Sequence, residues 1–457
     1  MLNSKKFINK MLFGNLNYLT AFILLISASF TTAQAIDMKQ RSGEAITVML
    51  VSHPFVDSIK PHISEFEALT GITVNLDVLP EGSGTEKLLA DLSSRAGTID
   101  VFMTSPLSNW QYATAGWIED LDPFLEDASL TDAAAYDVGD FFQGVLDSNR
   151  WTRELLAGIG EGPLWALPIN SESYLLAYRP SVFKELGIDV PKTYAELLSI
   201  ADKLDQGSAQ YGLLTRFDKF WDLPYLTFGT MLQSYGVEML DAEGNLQVCS
   251  EKSINATNDF VKLIQTASPE GAGAFTWYES MQGFAAGQYA LSFNEADLFA
   301  PVYQDPSQSE VSNDVGYAPT PLGPDGYRKA GAWIWSMSIN AASSKKEAAW
   351  LFLSWVTSKD IMIRSHLGGN MNPVRKSAWA NNDVAALVNS WGEYPGQYVE
   401  VTSTMGEVAA VRFPPHPELT RMLDRWAQAV QEVYYGKADA KEALCNAESD
   451  IKPMLSQ

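Results

Sequence analysis

The chain has 457 residues, 46% hydrophobic, 19% charged and 11% aromatic, which excludes a small disulfide-stapled scaffold and a disordered or low-complexity chain. Fifty-five acidic against 32 basic residues give a formal charge of −23, so no broad phosphate-tracking surface is expected and nucleic acid is excluded as a partner. Thirteen Trp, 18 Tyr and 21 Phe are mostly destined for packed cores, with a minority left to form flat apolar platforms for a ligand.

The chain opens with Lys5, Lys6 and Lys10 and no acid, then the apolar run Tyr18 to Phe30, then Ala33-Gln34-Ala35. This is the pattern of a secretory signal peptide, residues 1–35, cleaved after Ala35. The run is too short for the roughly 20 residues of a membrane span. Cleavage removes three Lys and no acid, making the net charge of −23 more negative by three. No Cys lies near the cleavage point to carry a lipid, so a freely soluble periplasmic product is expected.

Ala45 to Val51 predicts a strand, Phe55, Ile59, Ile63, Phe66 and Leu69 a helix that Gly71 stops, and Ile72 to Val78 a second strand. Leu88 to Leu92 lies in another amphipathic helix and Ile99 to Met103 is a third buried strand. This βαβαβ order predicts a parallel, helix-covered sheet, with ligands beyond the carboxyl ends of its strands. The loops beginning Ser52-His53-Pro54 and Thr104-Ser105-Pro106 are therefore the first candidates for a site.

A second region begins at the strand Tyr174 to Tyr178 and the helix Tyr194 to Leu204, and helical patterns follow over 222–235 and 254–266. Ala290 to Phe293 reads as a strand, Gly316 to Ile339 as β-rich with Pro and Gly turns, and Ala348 to Val356 and Leu419 to Tyr435 as helices. Gly158-Ile159-Gly160-Glu161-Gly162 lacks dinucleotide-fingerprint spacing and reads as a loop, and Tyr434-Tyr435 reads as helix packing rather than an iron site. Cys249 and Cys445, the only two cysteines, are read as two separate buried thiols in preference to a single bridge, which an oxidising compartment would allow. With four His, no two of them three to five residues apart, and no HExxH, CxxC, GxSxG or phosphate-loop pattern, no metal, cofactor or catalytic residue is predicted.

Several segments in order resemble the carbohydrate-type extracellular solute-binding proteins of ABC importers, the family that includes maltose-binding protein. They are Ile99 to Leu121 (IDVFMTSPLSNWQYATAGWIEDL), Ala166 to Leu198 (ALPINSESYLLAYRPSVFKELGIDVPKTYAELL), Gly283 to Asn294 (GFAAGQYALSFN) and Gly316 to Val356, which contains APTPLGPDG and SINAASSKKEAAWLFLSWV. The resemblance implies an α/β, two-lobed periplasmic-binding-protein fold of type II, each lobe a helix-flanked, mostly parallel sheet, with a hinged cleft between. One lobe is expected at 36–168 plus 315–345 and the other at 169–314 plus 346–457. It further implies a monomeric binding component that closes on a sugar or polyol and delivers it to the permease subunits of an ABC importer in the inner membrane. The alternatives are a secreted glycan hydrolase or lyase, and a binding protein of this fold for another solute such as a polyamine.

A sugar or polyol site calls for flat aromatic walls and for carboxylates, amides or Arg to bond its hydroxyls. Glu172, four residues after Pro168 where the family's pattern places a ligand-contacting acid, is the sharpest candidate. Trp221, Asp222 and Tyr225 open a helix whose family counterpart supplies aromatic and acidic contacts, with core packing the competing role for Trp221. Trp333 and Trp335 share one side of a strand and are read as cleft or core, and Trp110 as a stacking wall. Ser105 and His53 occupy strand-end loops. Glu295 and Asp297 stand where the family often shows an aromatic, which favours hydrogen bonding over stacking. Asn370 and Arg412 lie in C-terminal loops, Arg412 as a cleft donor or a surface ion-pair former.

Overall fold

The computed structural model describes residues 36–456 apart from Ser208; the signal-peptide reading of 1–35 lies outside the described residues. Among the described residues no helix is long and apolar enough to cross a membrane. The first sheet has the order β2-β1-β3-β10-β4, with β1 Ala45–Val51, β2 Thr73–Leu79, β3 Val101–Thr104, β4 Leu167–Glu172 and β10 Trp333–Ile339. The second has the order β6-β7-β5-β8, with β5 Tyr174–Tyr178, β6 Tyr211–Leu214, β7 Tyr289–Ala296 and β8 Gly316–Pro319. A two-stranded ribbon joins β9 Ala330–Gly331 to β11 Ala409–Ala410.

The βαβαβ reading of the N-terminal third holds: β1 pairs in parallel with both β2 and β3, and the helix Ile63–Thr70 between β1 and β2 ends on Gly71 at φ 72°, a left-handed cap that glycine adopts without strain. In each sheet all strands but one point the same way, and the exceptions are β10 in the first sheet and β5 in the second. β10 runs antiparallel to β3 and β4, and β5 runs antiparallel to β7 and β8 while only β6 pairs with β7 in parallel. Ser173 alone separates β4 from β5, so the chain passes from the first sheet to the second within one residue.

The strands change sheets at positions other than those expected. All of β4, to Glu172, belongs to the first sheet, and β8, placed in the first lobe by the 315–345 assignment, is bonded to β5 in the second. The helix Lys346–Val356, expected on the second lobe, packs on the first: Phe352 meets Phe66 with ring centroids 5.3 Å apart and Trp350 stacks on Phe124 at 5.5 Å. The helix Lys359–Leu367 joins it through a Ser365 to Ser58 hydroxyl contact of 2.8 Å. The helix Gln397–Gly406 returns to the second sheet, where Gln397 accepts the Tyr317 amide at 3.1 Å.

Cys249 and Cys445 form a disulfide, with Cα atoms 4.7 Å apart, which corrects the reading of two separate thiols. The bridge ties the start of the helix Glu251–Ala267 to the helix Ala440–Ile451, two elements 196 residues apart. Separation in sequence gave no sign of this proximity.

Candidate functional site

The carboxyl ends of β1, β2, β3 and β4 and the amino end of β10 fall at one edge of the first sheet, and the ends of β6 and β7 face them from the second. A cavity opens there. Six predicted residues line it: His53, Glu172, Trp221, Asp222, Trp333 and Trp335.

Strand register explains the first-sheet wall. Trp333 stands directly opposite Glu172 in the β10–β4 pairing; Trp335 lies two residues further on, so all three side chains share one face. The Trp335 indole donates to Glu172 Oε1 at 2.8 Å. Burial pushes the Glu172 carboxyl up to about 8, against the opposing pull of Arg216. The loop after β1 adds His53, which caps the helix Pro54–Ile59 by accepting the Phe55 amide at Nδ1, 3.0 Å. Its ring stands edge-on to Trp335 at 5.4 Å, and burial lowers its pKa to about 3, so it is neutral.

The second-sheet wall centres on Arg216, which lies two residues beyond β6. Its Nη2 and Nε donate to Glu295 Oε2 at 2.8 and 3.0 Å, and its Nη1 stands 3.4 Å from Asp222. Burial raises the Asp222 carboxyl while Arg216 opposes the rise. Trp221 lies against Trp333 with centroids 4.7 Å apart and planes 31° from parallel, and Trp333 meets Trp335 edge-on at 5.3 Å. The wall therefore presents flat aromatic faces beside carboxyls, a combination suited to the C–H faces and hydroxyls of a polyhydroxylated solute.

Residue spacing did not pick out Glu81, Arg216, Leu226, Trp277, Leu298 and Phe299, which complete the lining. Glu81 follows β2 and Arg216 follows β6, so the strand-end rule that selected His53 could have found both. Trp277 opens the helix Trp277–Ala285 and carried no positional signal; its indole donates to Glu81 at 2.9 Å from the second lobe to the first. Burial pushes Glu81 up to about 7, with the Trp277 bond opposing.

The other candidates do not line the cavity. Trp110 is a core side chain, 1% exposed, in the helix Pro106–Thr114, and Ser105 caps that helix by accepting the Ser108 amide at 3.3 Å. Tyr225 sits behind Trp333, edge-on at 5.8 Å, and stacks on Phe413 at 4.9 Å. Glu295 is the buried partner of Arg216. Asp297 accepts the Ser173 amide at 3.1 Å and hydroxyl at 2.6 Å, so it pins the chain crossing between the sheets. Asn370 accepts from Asn170 at 2.9 Å and donates to the Ile169 carbonyl at 3.1 Å, holding β4 in place. Arg412 donates to the Ala330 carbonyl at 3.1 Å and lines a separate groove with Leu156 and Met239.

The sequence profile of the bacterial extracellular solute-binding proteins matches residues 53–363. The chain belongs to this family. Among its relatives, the erythritol/L-threitol-binding protein of Mycolicibacterium smegmatis is 31% identical over 88% of this chain and 84% of that protein. A probable amino-acid ABC transporter periplasmic-binding protein of Sinorhizobium fredii is 26% identical over 87% of each chain. The crystal structure of an ABC transporter solute-binding protein from Agrobacterium radiobacter in complex with ribitol superposes with a TM-score of 0.79, at 26% identity, over 90% of this chain and 99% of that one. The two-lobed α/β architecture is thus that of solute-binding proteins.

Proposed function

We propose that this protein is the periplasmic solute-binding component of an ABC importer, that it holds an uncharged polyol or sugar in the cavity between its two sheets, and that closure of the lobes presents the loaded form to the permease. The observation that carries the reading is the composition of the wall: Glu81, Glu172 and Asp222 around the packed rings of Trp221 and Trp333. Carboxyl groups exchange hydrogen bonds with hydroxyl groups, and indole faces cover the C–H surface between them. Binding of erythritol or threitol by one relative and of ribitol by a structural neighbour supports the same solute class.

An amino-acid ligand fits less well. An α-carboxylate needs a free cationic donor, and among the described lining residues the one permanent cation, Arg216, is already held by Glu295 and Asp222. A role in binding without bond cleavage is supported by the engagement of two lining carboxyls, Glu172 with Trp335 and Glu81 with Trp277.

The test is a thermal-shift screen against tetritols, pentitols, hexitols, mono- and disaccharides, amino acids and polyamines. A ligand at 100 times its Kd adds about 2.7 kcal/mol to stability, so a polyol or sugar should give the largest shift and be recovered intact. A larger shift with an amino acid or a polyamine would reject the reading.

A further inference from the structure

Of the buried side-chain polar atoms that lack a hydrogen-bond partner among the described residues, two belong to the cavity wall: Nε2 of His53 and Oδ1 of Asp222. They come from opposite lobes, His53 from the loop after β1 and Asp222 from the start of the short helix Asp222–Tyr225. Both residues are at least nine-tenths buried, 4% and 5% exposed.

Their hydrogen-bonding senses are opposite. His53 Nδ1 accepts the Phe55 amide at 3.0 Å, which places the proton of the neutral ring on Nε2, an atom that can then only donate. Trp335 and Trp277 flank the ring, with centroids 5.4 and 6.3 Å away, and hold its plane. Asp222 directs Oδ2 toward Arg216 at 3.4 Å; beside that cation the carboxylate offers Oδ1 purely as an acceptor.

We propose that His53 and Asp222 form a donor–acceptor filter across the cleft that selects uncharged polyhydroxylated solutes and rejects both amines and carboxylates, an inference that rests on the polyol reading above. A hydroxyl group both accepts and donates. A run of hydroxyls takes the His53 N–H on one oxygen and gives a hydrogen to Asp222 from another, so both orphan atoms are satisfied by one molecule. An ammonium group has no acceptor and leaves the His53 N–H buried and unpaired. A carboxylate has no donor, leaves Asp222 Oδ1 unpaired and meets the charge of Asp222 itself. Each unpaired atom corresponds to about a five- to hundredfold loss of affinity.

The experiment is calorimetric titration of wild-type, His53→Ser, His53→Gln and Asp222→Asn proteins with erythritol and ribitol, and with putrescine and succinate as charged probes. Serine keeps an oxygen to cap the Phe55 amide and removes the Nε2 donor; glutamine restores an N–H near the same reach. Polyol affinity should fall about five- to a hundredfold in His53→Ser and in Asp222→Asn. It should recover to within about fivefold of wild type in His53→Gln. The preference for polyol over putrescine should narrow in His53→Ser, an effect that loss of a helix cap alone would not produce. The thermal midpoint of the ligand-free His53→Ser protein should match wild type. Unchanged polyol affinity and selectivity in a folded His53→Ser protein would overturn the filter and leave the polyol reading standing. Wild-type protein that takes no polyol, or prefers putrescine or succinate, would overturn the polyol reading and the filter with it.

Discussion

The Trp335 indole donates to Glu172 Oε1 at 2.8 Å along the diagonal of the β10–β4 pairing, fixing a buried carboxyl at the rim of the first sheet with a neutral donor. Across the cavity the Trp277 indole does the same for Glu81 at 2.9 Å. The two pairs differ in reach: the first lies within one sheet, whereas the second joins a helix of the second lobe to the helix that follows β2. One carboxyl is thereby part of a rigid wall and the other part of a contact that lobe opening must break.

The buried carboxyls predict an unusual slope of stability with pH. Unfolded glutamate releases its proton near 4.5, whereas folded Glu172 holds it to about 8, first because it is buried. A group raised in this way contributes stability that is complete below pH 4.5 and is lost as pH rises through about 8. His53 and His366, lowered by burial to about 3 and about 4, contribute stability present above 6.5 and lost as pH falls, so they are silent in the upper window. Between pH 6.5 and 8 the ligand-free protein should therefore become less stable, and Glu172→Gln should flatten the slope by up to about 1.4 kcal/mol per pH unit. Denaturant titrations at half-unit steps read this directly; equal slopes in both proteins would remove Glu172 as the source.

Trp277→Phe is expected to loosen the closed arrangement. Phenylalanine keeps an aromatic face against Phe299, whose ring lies 15° from parallel with Trp277, but it lacks the N–H that reaches Glu81 and leaves that carboxyl without its indole donor. A lost bond to a buried carboxyl corresponds to about 1 to 3 kcal/mol. Small-angle scattering of the ligand-free variant should give a larger radius of gyration than wild type, and solute affinity should fall about fivefold or more. The same radius in both would mean that the Tyr278 hydroxyl bond to the Ser52 carbonyl, 3.1 Å, holds the lobes by itself.

Much of this architecture was legible because local signals agreed with the global fold. The period-2 and 3.6-residue patterns of 45–103 located β1, β2 and β3, and Thr193 with Glu196 forms the capping box that opens Tyr194–Leu204. What escaped were relations set by long-range pairing. Which sheet β8 joins, and on which lobe Lys346–Val356 packs, depend on partners more than a hundred residues away. At the site, residues next to strand ends were readable; Trp277, brought in by helix packing, was not. Trp110 was misplaced because an aromatic just beyond a strand end looks identical whether its helix turns it toward cleft or core.

Removal of the Cys249–Cys445 bridge should destabilise without altering recognition. Cross-linking positions 196 residues apart stabilises by about 5 kcal/mol in the chain-entropy account, and neither cysteine lines the cavity. A Cys249→Ser, Cys445→Ser protein should unfold at lower denaturant concentration and keep solute affinity within about twofold. An unchanged unfolding midpoint would count against this account.

Arg216 should be the least replaceable side chain of the cavity wall. It is 4% exposed and is the shared cation of Glu295, itself 1% exposed, and of Asp222. Replacing it with methionine preserves much of the side-chain length and leaves two buried carboxylates uncompensated, a change that typically costs about 3 to 5 kcal/mol. The second replacement Glu295→Gln in the Arg216→Met background removes one of those charges, so it should recover part of the loss although it adds no new contact. In the wild-type background Glu295→Gln should destabilise, because it removes the charge that strengthens the Nε and Nη2 bonds to Oε2 holding the guanidinium. A double-mutant cycle followed by denaturant unfolding measures the coupling. Strictly additive losses would mean that the two side chains act independently, and Arg216 would then owe its place to Asp222 alone.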